Sequence, residues 1–594
     1  MFKAKANLRS SIVTMVISSL LSTVFGCGQA ELSQPDHKVV FTLDEKVPMR
    51  DGVQLSADVY RPDAPGPFPT LMLMTAYNNM RPDVVNRAAY FAERGYAAVT
   101  VDLRGRHDSE GIWHPYVNDP QDGFDTQKWI AEQDWCNGKT GTFGHSYDGF
   151  TQVMPARYQH PSLKALMPSA NQETNFGHLY NDGIPQLNVI FVAEFLWVNR
   201  GMAFWPGIFD HPLMDWNEIF SRLPLYTALD EMVDRPWVKT LLDHPTYDDY
   251  WKSYGTKGKY HQILVPAYFL TGWYDNLEHE IWRQFVGFRE EGGSELARKQ
   301  TKILVGPWSH SYNQTYDNWV IDFGESSLLD VEELHVRWYD HWLKGIPNGI
   351  DKEAPIRLFV MRANKWRDEH EWPLARTRWI RYYLNSGGDA NSVPGDGTLG
   401  TSPPPDGAPQ DTYEYDPANP VPTVGGQTEF PPDQRGPQDR RPVQKRDDVL
   451  IYSSEPLTDK LEVTGPIEVK LYAASSAVDT DFTAVLTEVL PDGTAVHISE
   501  GIRRASFRES LENPTLIEPG KVYEIPIEIW ETSWEFQPGS RIRLEVSSSN
   551  FPRFARNLNT GNPLGRSAEM KVATQTIYHD ARYPSHVVLP VIPE

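Results

Sequence analysis

Strand and helix alternate up to residue 168, an aromatic helical stretch follows to 260, and short strands dominate after residue 355. Together these predict a mostly parallel α/β sheet with an inserted helical cap and a separate β domain. The chain has 594 residues, too many for one core and enough for roughly three or four domains. Hydrophobic residues make up 40% and aromatics 12%, with 19 Trp, so there is apolar mass for large cores. The formal charge of -23 reads as a soluble acidic surface and excludes nucleic acid, whose phosphates it would repel.

Taken in order, residues 38–62 alternate apolar and polar around Met49-Arg50-Asp51-Gly52, the pattern of a hairpin. The runs 70–75 and 97–102 are short and apolar, as buried parallel strands are, with a helical stretch at 84–94 between them. A helix at 122–133, a strand at 140–143, a helix after Ser146 and a strand at 163–167 continue the series. Residues 169–260 then show helical patterns with Phe195, Trp197, Phe204, Trp205, Trp216 and Trp251, and no clear strand. Strand signals resume at 263–270 and 303–305, around a helix at 278–291. Residues 38–168 and 261–350 are therefore expected to share one sheet, with 169–260 inserted as a cap; a separate helical domain beside the sheet is the plain alternative. A helix near 328–343 closes the unit. Residues 355–594 carry short strands between Gly and Pro turns (356–361, 379–384, 467–473, 483–490, 525–529, 542–547), which suggests a jelly-roll β-sandwich. The stretch 386–448 is dense in Pro, Gly and Asp, and by composition it is a flexible linker.

Residues 1–30 read as an export segment. Lys3, Lys5 and Arg9 precede an uncharged apolar run at 12–25, too short and too rich in Ser and Thr for a membrane span. A retained N-terminal anchor helix is the alternative. Val24-Phe25-Gly26-Cys27 resembles a lipobox that would make Cys27 the lipidated mature N-terminus, whereas Gly28-Gln29-Ala30 offers an ordinary signal-peptidase cut. The expectation is an exported protein, a periplasmic or outer-membrane lipoprotein or else soluble after secretion, touching the membrane only through that anchor. Residues 28–37 would form a flexible polar tether. Cys136 is the only other cysteine, so neither an internal disulfide in a mature lipoprotein nor a Cys-type zinc site is available.

The strongest local motif is Gly144-His145-Ser146-Tyr147-Asp148-Gly149, which follows a predicted strand and opens a predicted helix. That is the setting of a nucleophile elbow: a small residue permits the tight turn, and the helix N-terminus offers the Tyr147 N–H to a developing oxyanion. The second glycine stands one position later than in G-x-S-x-G, with Asp148 in its usual place. A nucleophilic serine needs a base, and the base needs an acid to orient it. Asp275 and His310 each follow a later predicted strand, in the order Ser, Asp, His that suits an α/β-hydrolase core. Read as structure alone, Asp275 is a helix cap and His310 a loop histidine. The run Asp102-Leu103-Arg104-Gly105-Arg106-His107-Asp108 precedes the elbow and suits loop salt bridges, and His145 suits a structural role. The loop containing Tyr77 normally gives the second oxyanion donor but has no glycine-rich run, so the phenol serves there or simply packs.

These residues resemble the cocaine esterase type of serine hydrolase, a family that includes glutaryl-acylases, α-amino-acid ester hydrolases and X-prolyl dipeptidyl peptidases. The resemblance spans about residues 38 to 590. It rests on Asp102-Leu103-Arg104-Gly105, Gly144-x-Ser146-Tyr147-x-Gly149, Gly272-Trp273-Tyr274-Asp275 and Gly306-Pro307-Trp308-x-His310, and distally on Asp447-Asp448-Val449-Leu450, Gly465-Pro466-Ile467 and the run from Ser547 to Phe554. It implies an α/β-hydrolase domain, a helical cap and a C-terminal jelly roll, a triad of Ser146, Asp275 and His310, and an oxyanion hole from the Tyr77 hydroxyl and the Tyr147 N–H. It also implies that the Pro-rich stretch is ordered.

The chemistry expected is hydrolysis of a small ester or amide substrate through an acyl-enzyme, with no metal or organic cofactor. An X-prolyl dipeptidyl-peptidase-like activity is the alternative and would need an anionic pocket for a free amine; Glu278 and Asp182 are its candidates. A carbohydrate-binding protein is the reading from outside enzymology, and an ordered triad argues against it.

Overall fold

A computed structural model describes residues 32–197, 200, 214–233 and 237–593. The export segment with Cys27 lies outside the described residues, as do Phe204 and Trp205. The hairpin is present: β1 (Val39–Pro48) pairs antiparallel with β2 (Gln54–Pro62). β3 (Phe68–Thr75), α1 (Pro82–Glu93), β4 (Ala97–Asp102), α2 (Asp119–Ala131), β5 (Cys136–His145), α3 (Tyr147–Ala156) and β6 (Leu163–Ser169) follow. Leu71, Met72, Leu73 and Met74 of β3 are all buried because helices cover both faces of the sheet. Leu71 and Leu73 join the cluster of Phe91 on α1, whereas Met72 and Met74 join Ile130 on α2 and Phe150 on α3. Each such side chain contributes about 1.5–3 kcal/mol of burial.

Between β6 and the next sheet strand lie α4 (Asn175–Leu179), a two-residue ladder of β7 (Tyr180–Asn181) with β8 (Ile184–Pro185), α5 (Leu187–Trp197), α6 (Trp216–Ser221), α7 (Trp237–Asp243) and α8 (Asp249–Ser253). Trp216, Leu241 and Trp251 of this segment pack into the same cluster as Tyr147 and Phe150, so the insertion sits against the elbow helix. The sheet resumes with β9 (Tyr268–Tyr274), α9 (Glu278–Glu291), α10 (Glu295–Gln300), β10 (Lys302–Ser309) and α11 (Val331–Tyr339). β9 starts five residues later than the apolar run 263–270 suggests, after Pro266, which has no N–H for a ladder. It runs through Gly272-Trp273-Tyr274, so Asp275 stands at the strand's carboxyl end and His310 stands likewise after β10.

One boundary moves. The strand expected at 356–361 to open the β domain is β11 (Ile356–Val360), which pairs parallel with β10 and antiparallel with β12 (Lys365–Glu369). Both belong to the first sheet, of order β1-β2-β4-β3-β5-β6-β9-β10-β11-β12. α11 makes one more crossover, and a short apolar run reads the same in either domain. The remaining strands, from Arg378–Asn385 to His586–Ile592, make an eleven-stranded and mainly antiparallel assembly.

The stretch 386–448 is not a loose linker. Asp411–Tyr415 pairs antiparallel with Ala573–Tyr578, and the Thr423 and Phe551 N–H groups donate to Phe551 and Val421 carbonyls at 2.7 and 2.9 Å. Gln427 Nε2 donates to the Trp273 carbonyl at 3.1 Å, and Asn188 Nδ2 of the inserted segment donates to the Phe430 carbonyl at 2.6 Å. Proline lowers the entropy lost on ordering such a strap, and neighbouring domains satisfy its polar backbone. The expected tether 28–37 is also shortened. Ser33 donates through its N–H and Oγ to Asp340 at 2.8 and 2.6 Å, and the His37 N–H donates to the Glu93 carbonyl at 3.0 Å.

Within the strap, Arg440 is buried and forks onto Glu545 through Nε and Nη2, at 3.0 and 2.9 Å. Removing one partner of a buried pair costs about 3–5 kcal/mol. Arg440→Ala is expected to lower Tm by several degrees, while Arg441→Ala, which breaks a solvent-exposed pair with Asp439, leaves it within about a degree. Equal melting of the two variants would return the strap to a linker.

Candidate active site

β5 turns into α3 at Ser146, whose φ of 63° and ψ of -124° lie outside the usual regions for a side-chain-bearing residue. The turn is tight on both sides. A Cβ on Gly144 would come within 2.7 Å of the Asp148 Cβ and carbonyl oxygen, and one on Gly149 within 2.8 Å of the Ser169 carbonyl oxygen. The displaced second glycine is thereby explained: it is Gly149 that lets α3 approach the end of β6. Asp148 points instead toward Arg81, 3.6 Å away; its pKa is pushed up to about 7 by burial, with Arg81 opposing.

The three residues expected to act together do meet. Ser146 Oγ lies 3.0 Å from His310 Nε2, to which it donates when the ring is neutral, and His310 Nδ1 donates to Asp275 Oδ1 at 2.9 Å. Asp275 is fully buried, and its carboxylate is oriented by Thr271 Oγ1 at 3.2 Å and the Leu277 N–H at 3.0 Å. Each sits at the carboxyl end of a parallel strand of the one sheet, β5, β9 and β10, where open α/β sheets build their sites. His145 lies beside His310 with ring centroids 4.6 Å apart, and burial, then His310, hold it well below the usual histidine pKa, so it is a neutral packing partner.

Tyr77 follows β3 and faces the elbow. Burial, with Asp148 adding, raises the pKa of its phenol while a hydrogen bond to Ser146 opposes, so the hydroxyl stays protonated. Tyr147 opens α3, where the first backbone N–H groups point out along the helix axis. Its ring stacks on Tyr116 at 4.8 Å and its hydroxyl donates to Asp119 at 2.5 Å, which pins the elbow. The loop after β4 braces Tyr77 rather than supplying chemistry. Asp102 accepts from the Asn79 N–H at 2.9 Å, Arg106 Nε donates to the Ala76 carbonyl at 2.9 Å, and Arg104 ties Asp122 to Asp51.

Of the two candidates for holding an amine, one is paired and the other is shut in the interior. Asp182 pairs with Arg503 at 3.2 Å, and Glu278 is completely buried, its pKa driven well up by burial and then by Glu531 and Asp275. The carboxylate beside the histidine is Glu429, which the sequence reading missed. Its Oε1 lies 3.9 Å from His310 Nε2, and it comes from the Pro-rich strap, where no motif marks it. Burial opposes a charged His310, but Glu429 and then Asp275 outweigh it and push the pKa up to about 9.

A family model described as X-Pro dipeptidyl-peptidase (S15 family) matches residues 51–312, and one described as the X-Pro dipeptidyl-peptidase C-terminal non-catalytic domain matches residues 348–588. Cocaine esterase of Rhodococcus sp. (strain MB1 Bresler) is 41% identical over 574 residues, covering 92% of this chain and 97% of that one. The chain belongs to the cocaine esterase family of serine hydrolases. Two solved structures share the family's fold along nearly their whole length. An aminopeptidase from the marine sediment archaeon Thaumarchaeota archaeon has a TM-score of 0.80 at 23% identity, covering 94% of this chain and 98% of its own. An α-amino acid ester hydrolase has a TM-score of 0.79 at 24% identity, covering 96% and 98%. As a member of the cocaine esterase family, the chain is a serine hydrolase acting on ester bonds, and the dipeptidyl-peptidase alternative fits it less well.

Proposed function

We propose that the chain hydrolyses esters of small acyl groups through an acyl-enzyme on Ser146. The observation that carries this reading is the continuous hydrogen-bond chain from Ser146 through His310 to Asp275. His310 takes the Ser146 proton as Oγ attacks the carbonyl carbon, and the buried Asp275 stabilises the imidazolium and fixes the Nδ1 tautomer. The negative charge on the carbonyl oxygen is met by the Tyr77 hydroxyl and the Tyr147 N–H. His310 then gives its proton to the departing alcohol, and water repeats the cycle on the acyl group. The pairing of Asp182 with Arg503, and the burial that favours the uncharged form of Glu278, support the esterase over the aminopeptidase reading.

The charged start, apolar run and Cys27 support export as a lipoprotein. Several acyl chains on Cys27 would anchor the esterase to a bilayer.

Two measurements test these readings. In hydrolysis of p-nitrophenyl esters, Ser146→Ala is expected to lower kcat by on the order of 10⁴-fold or more and Tyr77→Phe by about 10²–10³-fold, both with unchanged melting. A Ser146→Ala protein keeping a tenth of wild-type activity removes the nucleophile, and an unchanged kcat returns Tyr77 to packing. In fractionated cells the wild type should sediment with membranes and Cys27→Ala should lose the lipid anchor; a mature N-terminus at Glu31 would make the enzyme soluble after export.

A further inference from the structure

We propose that Glu429 is a second carboxylate for the triad histidine, a positioning residue delivered by the strap to the Nε2 side of His310 that sets the pH range in which His310 accepts the Ser146 proton. This rests on the reading of His310 as the base. Nδ1 is held by Asp275 at 2.9 Å, while Nε2 faces both Ser146 Oγ at 3.0 Å and Glu429 Oε1 at 3.9 Å. The imidazole therefore stands between two carboxylates, one on each nitrogen. Glu429 is fixed by Asn276 Nδ2, which donates to its Oε2 at 3.3 Å, and its side chain is 17% exposed, too little for water to screen the pair fully.

Among the described residues, His310 is the only ion-pair partner of Glu429 within 4.0 Å. Arg435, six residues on, places its guanidinium over the Tyr316 ring at 5.1 Å and acts on the pair only from a distance. The other titratable groups around His310 are neutral. His145 from the elbow and His178 from α4 both have depressed pKa values, the latter down to about 3, through burial and then His310 itself. The Tyr77 phenol is protonated, and its pKa also responds to Glu429.

An opposite charge at this range moves a titration by about one to three units. A histidine raised to about 9 is mainly an imidazolium below that pH and becomes a base above it. The same carboxylate stabilises the imidazolium formed when Ser146 attacks. Glu429 thus exchanges activity at neutral pH for a better-stabilised intermediate in alkaline conditions.

The experiment is the pH dependence of kcat/KM for p-nitrophenyl butyrate, an uncharged ester, for wild type, Glu429→Gln, Glu429→Asp and Ser146→Ala, with melting measured on each. The wild type is expected to show an acid limb near pH 9. Glu429→Gln should move that limb down by at least about one unit, and Glu429→Asp by less. Limbs coinciding within about 0.3 unit in wild type and Glu429→Gln would overturn the assignment. Should the Gln variant fail to fold, Glu429→Asp decides: a lowered limb supports the role and an unmoved one removes it. Activity in Ser146→Ala would instead strike the triad reading.

Discussion

The hydrogen bond between Ser146 and His310 joins two points of the chain that are 164 residues apart, and its 3.0 Å length depends on where the first sheet places its strand ends. Ser146 must stand above the sheet, which it does at the cost of a strained backbone worth about 1–3 kcal/mol. The strain persists because its surroundings leave no alternative. Gly144 and Gly149 admit close contacts that any side chain would block, and Tyr147 is locked to Tyr116 and Asp119. His310 must meet that serine from a different strand, and the bulged parallel pairing of β10 with β9 brings it there.

A histidine placed in this way is an electrostatic compromise. Burial disfavours its charged form, and Asp275 and Glu429 restore it. Asp275 comes from the first sheet and Glu429 from the strap, so the histidine's state depends on the docking of a segment whose strand Asp411–Tyr415 belongs to the second sheet. The strap is tied to β9 through Gln427, to the inserted segment through Phe430 and to the β domain through Arg440. The β domain contributes no member of the triad, yet it holds the strap that carries a charge to the site.

Much of this was legible in the sequence, and the rest was hidden for identifiable reasons. The alternation of strand and helix, the elbow and the order Ser146, Asp275, His310 are local patterns, and each marks its own position. α9 spans residues 278–291 as its periodicity indicated. The misplaced start of β9 and the assignment of β11 to the wrong sheet share a cause: an apolar run shows that a strand exists, not where its ladder begins or which neighbour it takes. Composition misjudged the strap, since proline and glycine describe a segment without partners, and its order comes from Trp273, Asn188 and Glu545, which are distant in sequence. Glu429 was invisible for the same reason, because no spacing links position 429 to 310.

The account centres on Ser146 as the nucleophile activated by His310. Its most direct test is to trap the enzyme with a fluorophosphonate and locate the adduct by mass spectrometry of the digested protein. The account predicts one adduct per chain, on the peptide carrying Ser146, formed far more slowly by His310→Ala. An adduct on another residue, or a labelling rate that ignores the histidine, would contradict it.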